Sequence, residues 1–89
     1  MSDFVYLIYS EKHDRFYVGH TSNLNNRLEL HNKGSVKSTK AFIPWKIVYT
    51  EEFNSALEAR DREKYFKTGA GRRFLKDIKL RSRVPRPTD

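Results

Sequence analysis

Five side chains carry most of the chemistry open to this sequence: Tyr6, Tyr17, Arg27, His31 and Glu63. Three of them sit where charge does not belong. The segment from about Asn23 to Asn32 has helical spacing. With Leu24 at 0° and about 100° per residue, Leu28 falls at about 40°, Leu30 at about 240°, Arg27 at about 300° and His31 at about 340°. Arg27 and His31 thus lie inside the apolar arc of an amphipathic helix. A second helix, expected from about Ser55 to Lys67, repeats the anomaly. With Ala56 at 0°, Ala59 lies at about 300°, Phe66 at about 280° and Glu63 at about 340°. An inward ionic group must be paired or must line a cleft.

Residue types alone leave two accounts open. One is an internal Arg27–Glu63 ion pair with the tyrosines as core. The other is a site for a phosphodiester. There, a carboxylate can hold a divalent cation that keeps several waters, and the cation can polarise the phosphate. An arginine can stabilise charge on the phosphoryl oxygens, and a tyrosine aided by a neighbouring cation or histidine can serve as a base.

The elements that must position these groups are short. Phe4 to Tyr9 reads as a central strand buried on both faces. A polar turn leads to a second strand, Phe16 to Val18, which breaks at Gly19, where a bare glycine permits close approach. The first helix follows, with Thr21, Ser22 or Asn23 as N-cap. After a polar, basic loop closed by Pro44, Trp45 to Tyr49 reads as a third strand, with Trp45, Ile47 and Tyr49 on one face. Gly69 and Gly71 are expected to break the chain before a third helix from Arg72 to about Leu80. The result is an α+β fold, a small three-stranded mainly antiparallel sheet flanked by helices in the order β-β-α-β-α-α. One domain over 1–81 and a flexible tail over 82–89 are expected.

Charge is uneven. Of the net +7, residues 1–57 contribute seven Lys/Arg against six Asp/Glu, and residues 58–89 eleven against five. That asymmetry points to a polyanion partner, with Lys37, Lys40, Arg72, Arg73, Lys76 and Lys79 as phosphate contacts. His13 and His20 read as surface residues, although His20 is close enough to the site to touch a phosphate. The absence of cysteine excludes a disulfide framework, a thiolate nucleophile and a Cys-type zinc site. The opening MSDFVYLIYS has neither a basic n-region nor a long apolar run, so a cytoplasmic protein with no membrane partner is expected.

The chain resembles the GIY-YIG nuclease superfamily, most closely its small stand-alone bacterial branch, and is similar to the N-terminal incision domain of the nucleotide-excision repair endonuclease. The two signature tripeptides stand as Phe4-Val5-Tyr6 and Tyr17-Val18-Gly19. A Thr-x-Asn-Leu-x-x-Arg segment ends at Arg27, and His31 follows four residues on. Ser38 to Lys40, Pro44 to Lys46 and the Glu-Ala-x-x-Arg-Glu run reaching Glu63 complete the pattern. The resemblance implies a divalent-metal-dependent endonuclease with Glu63 as the ligand of Mg²⁺ or Mn²⁺. It implies Tyr17 as base or water-positioner assisted by Tyr6 and His31, Arg27 at the nucleophile or phosphate, and Gly19 for close packing. DNA is the implied substrate, with RNA left open, as are monomer and weak homodimer. Phe4 and Val5 depart from the glycine and isoleucine of the pattern, and GAGRRFLKDIK lacks the asparagine that some members place after the glutamate. The alternative is a basic nucleic-acid-binding module of the same fold with little or no turnover.

Overall fold

A computed structural model describes residues 2–83. The elements follow in the expected order: β1 (Asp3–Ser10), β2 (Arg15–Thr21), α1 (Leu24–Asn32), a 3-10 turn (Lys40–Phe42), β3 (Lys46–Phe53), α2 (Ala56–Phe66) and α3 (Gly69–Ser82). The three strands form one antiparallel sheet in the order β2-β1-β3. The unbroken apolar run of β1 accordingly takes the centre, and every residue from Val5 to Ser10 is buried.

Alternation along β1 divides the interior in two. Tyr6 and Ile8 face one side, where they pack with Trp45, Tyr17, Ile47 and with Leu24 and Leu28 of α1. Val5 and Leu7 face the other, against Ala59 and Phe66 of α2 and Leu75 of α3. Three local expectations are corrected. The second strand does not break at Gly19 but runs on to Thr21, because Gly19 pairs opposite Tyr6 as an ordinary strand residue. β3 begins at Lys46, one residue later than expected, and extends past Tyr49 through Glu51 and Glu52 to Phe53. A register shift between Leu7 and Ile8 sets Leu7 opposite Tyr49 but Ile8 opposite Ile47. That bulge turns Tyr49 away from Ile47 and into the α2–α3 core with Val48.

Gly69 and Gly71 do not interrupt the chain; they form the first turn of α3. Thr68 caps the helix by accepting from the Gly71 amide at 3.2 Å. A Cβ at Gly71 would lie 2.0 Å from the Tyr65 carbonyl oxygen. The glycine serves the close crossing of α2 and α3, not a break. α3 continues through Ser82, and residues 84–89 of the expected tail lie outside the described residues. Among the described residues, no helix is long and apolar enough to cross a membrane.

Candidate active site

Gly19 is the hinge point of the site. Its strand partner is Tyr6, whose ring lies directly over it: a Cβ there would come within 2.3 Å of the phenol oxygen. The missing side chain lets the Tyr6 hydroxyl reach the edge of the sheet beneath α1. That helix starts at Asn23, whose side chain accepts from the Asn26 amide at 3.0 Å, so Arg27 and His31 stack one turn apart. Arg27 Nε donates to Tyr6 Oη at 3.4 Å. Tyr6 Oη lies 2.8 Å from His31 Nε2, and His31 Nδ1 lies 2.7 Å from the Thr39 hydroxyl.

Direction in this chain follows from its ends. Arginine can only donate, and the Thr39 hydroxyl donates to the Val36 carbonyl at 3.4 Å. Tyr6 therefore donates to Nε2, and the Nδ1–H of a neutral imidazole donates to Thr39. His31 is fully buried. That burial, with the Arg27 charge beside it, lowers its pKa to about 4 and keeps the ring neutral at pH 7. Burial also raises the Tyr6 phenol, partly opposed by Arg27, so Tyr6 stays protonated. With its proton committed to His31, its oxygen offers lone pairs only. Tyr17 shares the face of Tyr6 and presents its ring edge-on to His31 at 5.4 Å. The four expected residues Tyr6, Tyr17, Arg27 and His31 thus form one cluster.

Glu63 stands apart from that cluster, on the opposite face of the sheet, and among the described residues bonds none of its four members. It projects from α2 toward His20, which pairs opposite Val5 and so faces the α2 side of β2. His20 Nδ1 bonds one carboxylate oxygen, and Lys67 Nζ donates to the other at 2.7 Å. Burial works to raise the Glu63 pKa, but the hydrogen bonds from Lys67 and His20 outweigh it and hold the carboxyl below its usual range. The Glu63 charge in turn contributes to the raised pKa of Tyr6, so carboxylate and phenol share a field around β2. No Arg27–Glu63 ion pair forms among the described residues: Arg27 turns to Tyr6 and Glu63 to His20 and Lys67. His20 is thus a partner of Glu63 rather than a plain surface residue. His13 is exposed in the β1–β2 turn, edge-on to Phe42 at 5.5 Å.

The donor set defines which cation fits. Among the described residues, no three His, Cys, Asp or Glu side chains converge as a closed metal cage. Both oxygens of the Glu63 carboxylate are already engaged, by Lys67 and His20, so a hard, hydrated cation would reach Glu63 only by displacing one of these partners or through a bridging water.

The expected phosphate contacts divide between the two sides. Lys37 and Lys40 are exposed and flank Thr39, the residue bonded to His31. Arg72, Arg73, Lys76 and Lys79 line a shallow groove along α3 with Leu80 and Arg83. Lys79 and Arg83 cover the Phe16 ring, each at 5.4 Å. Thr39 and Lys67 carry no clear sequence signal as site residues, and His20 reads only as a surface residue near the site, because each reaches it from a loop, helix stripe or strand face whose neighbours are set by folding. A weak signal for Lys67 exists: it stands four residues after Glu63, the spacing of a helical ion pair.

A β-hairpin, a helix carrying inward Arg and His, and a helix carrying an inward Glu make up the site. The chain belongs to the GIY-YIG family, whose catalytic-domain model matches residues 2–74. It is 38% identical over 79 residues to a UPF0213 protein of Staphylococcus haemolyticus, covering 88% of this chain and 95% of that one. It is 44% identical over 52 residues to a UPF0213 protein of Streptococcus agalactiae. That match spans 57% of this chain and 59% of the relative, so it takes in little over half the relative's length. The solution NMR structure of a UPF0213 protein from Bacillus halodurans superposes with a TM-score of 0.51 at 27% identity, covering 88% of this chain and 85% of that one.

Proposed function

We propose that this chain is a divalent-metal-dependent endonuclease that hydrolyses phosphodiester bonds in DNA, structure-selective or non-specific, in repair or recombination. One observation carries the reading: an ionised, mostly buried Glu63, bonded to His20, and the Arg27–Tyr6–His31–Thr39 chain, packed on Gly19, meet on adjacent residues of β2. Glu63 would hold Mg²⁺ or Mn²⁺, which when bound would supply Lewis-acid polarisation of the phosphate and its departing 3′-oxygen.

The remaining work falls to the chain's own groups. Arg27 stabilises charge on the phosphoryl oxygens with the guanidinium hydrogens not given to Tyr6. Tyr6 is buried and assists by holding the Arg27 guanidinium in place beside an attacking water oriented by Tyr17. Tyr17 stands beside it as the group that takes or relays the water's proton, and His31 holds Tyr6 in place rather than titrating at neutral pH. Lys37, Lys40 and the basic face of α3 hold the flanking backbone.

The deciding experiment is cleavage of labelled single-stranded, duplex, nicked and branched DNA with Mn²⁺ or Mg²⁺, run beside EDTA and Glu63→Gln. Products that need metal and vanish in Glu63→Gln, with folding and DNA affinity kept, are expected. Normal cutting by Glu63→Gln would sink the assignment. Salt-sensitive DNA retention with no products under any metal would make the protein a binding module.

A further inference from the structure

A lone carboxylate repels the phosphodiester it is meant to serve, so the charges around Glu63 decide how a polynucleotide can approach. On α2, Arg60, Glu63 and Lys67 fall at about 40°, 340° and 20° on the helical wheel, on one stripe. The stripe therefore reads cation, carboxylate, cation. Lys67 is already bonded to Glu63 at 2.7 Å, and its side chain is 55% exposed where that of Glu63 is 15% exposed. Arg60 is exposed and has no hydrogen-bond or ion-pair partner among the described residues. It lines a groove with Ala56, Leu57 and His20, the same histidine that bonds Glu63. Leu57 in that groove is 59% exposed on an otherwise polar helix face.

We infer that the substrate strand runs along α2, with Arg60 and Lys67 clamping the backbone phosphates on either side of the phosphate at Glu63. At 1.5 Å of rise per residue, Arg60 and Lys67 stand about 10.5 Å apart along the axis. The two cations thus stand on either side of Glu63 along the axis, placed to meet the phosphates before and after a central one. The two cations offset the carboxylate's repulsion, and exposed Leu57 offers apolar contact to a sugar or base beside Arg60. Only the identity of the central phosphate rests on the nuclease reading; the clamp itself is a binding property.

The test uses the intact chain in EDTA, where no turnover intervenes. Binding of a labelled single-stranded oligonucleotide is followed by fluorescence anisotropy across several salt concentrations. Arg60→Gln and Lys67→Gln should each reduce the slope of log K against log salt by about 0.7, and the double variant by about 1.4. Arg60→Lys, which keeps the charge, should retain the slope. Unchanged slopes in the glutamine variants, while replacing Arg72 and Arg73 by alanine lowers it, would overturn the clamp and leave the nuclease reading standing. Slopes that fall as expected in a protein that cuts nothing would keep the clamp and remove the nuclease reading. No salt-dependent binding at all overturns the clamp as well.

Discussion

His31 illustrates how one buried side chain sets both chemistry and stability. Its ring is fully buried and hydrogen-bonded at both nitrogens, so protonation would add an unwanted donor at Nε2 and a charge beside Arg27. The folded pKa of about 4 lies below the ordinary 6.5. Between those values the unfolded chain binds more protons than the folded one, so stability is full above about pH 6.5 and falls as pH drops toward about 4. One such group contributes a slope of up to about 1.4 kcal/mol per pH unit. Urea unfolding at pH 7, 6 and 5 should show that loss, and His31→Gln should flatten it. An equally steep decline in His31→Gln would place the titrating group elsewhere.

α2 is where packing, not propensity, decides the position of the site. Arg62, next to Glu63, turns to the other side of the helix and donates to both oxygens of Glu51 on β3, at 2.8 and 3.2 Å. Its guanidinium lies 4.9, 4.5 and 5.0 Å from the rings of Tyr65, Phe66 and Phe74. This fork fixes the rotation of α2 on the sheet and hence the direction in which Glu63 points. Both partners are partly exposed, so the pair is discounted from a fully buried one. Arg62→Ala should lower unfolding stability by about 1–3 kcal/mol. Arg62→Lys should recover little of it, because an ammonium cannot make the fork or stack on the rings. Denaturant midpoints for the two variants check this, and full recovery by lysine would show that charge alone suffices.

At the scale of the whole molecule, the positive field is spread over both sides of the sheet. α3 contributes Arg72, Arg73, Lys76 and Lys79 to one side, and the loop around Thr39 contributes Lys37 and Lys40 to the other. A surface of this kind favours backbone contact over base readout. Replacing Arg72 and Arg73 together by alanine should weaken DNA binding alike for unrelated sequences and reduce its salt slope by about 1.4 on single strands. Gel-shift titrations at several salt concentrations measure it; an unchanged slope would move the footprint off α3.

What the sequence determined by itself is considerable. The apolar run of β1, the polar Thr21–Ser22–Asn23 run able to cap α1 and the 3.6-residue spacing gave the order of elements. The arcs of two helices marked Arg27, His31 and Glu63 as inward before any contact was known, because local periodicity dictates facing. Tertiary structure decided the rest. The bulge between Leu7 and Ile8 moved Tyr49 to the other core, and the close α2–α3 crossing made Gly71 helical. Pairing of Arg27 with Tyr6 and of Glu63 with His20 and Lys67 replaced the ion pair that residue types equally allowed. Apart from the i,i+4 pair of Glu63 and Lys67, each of these depends on strand register or helix crossing, which bring together residues far apart in the chain, and no local pattern encodes such distances.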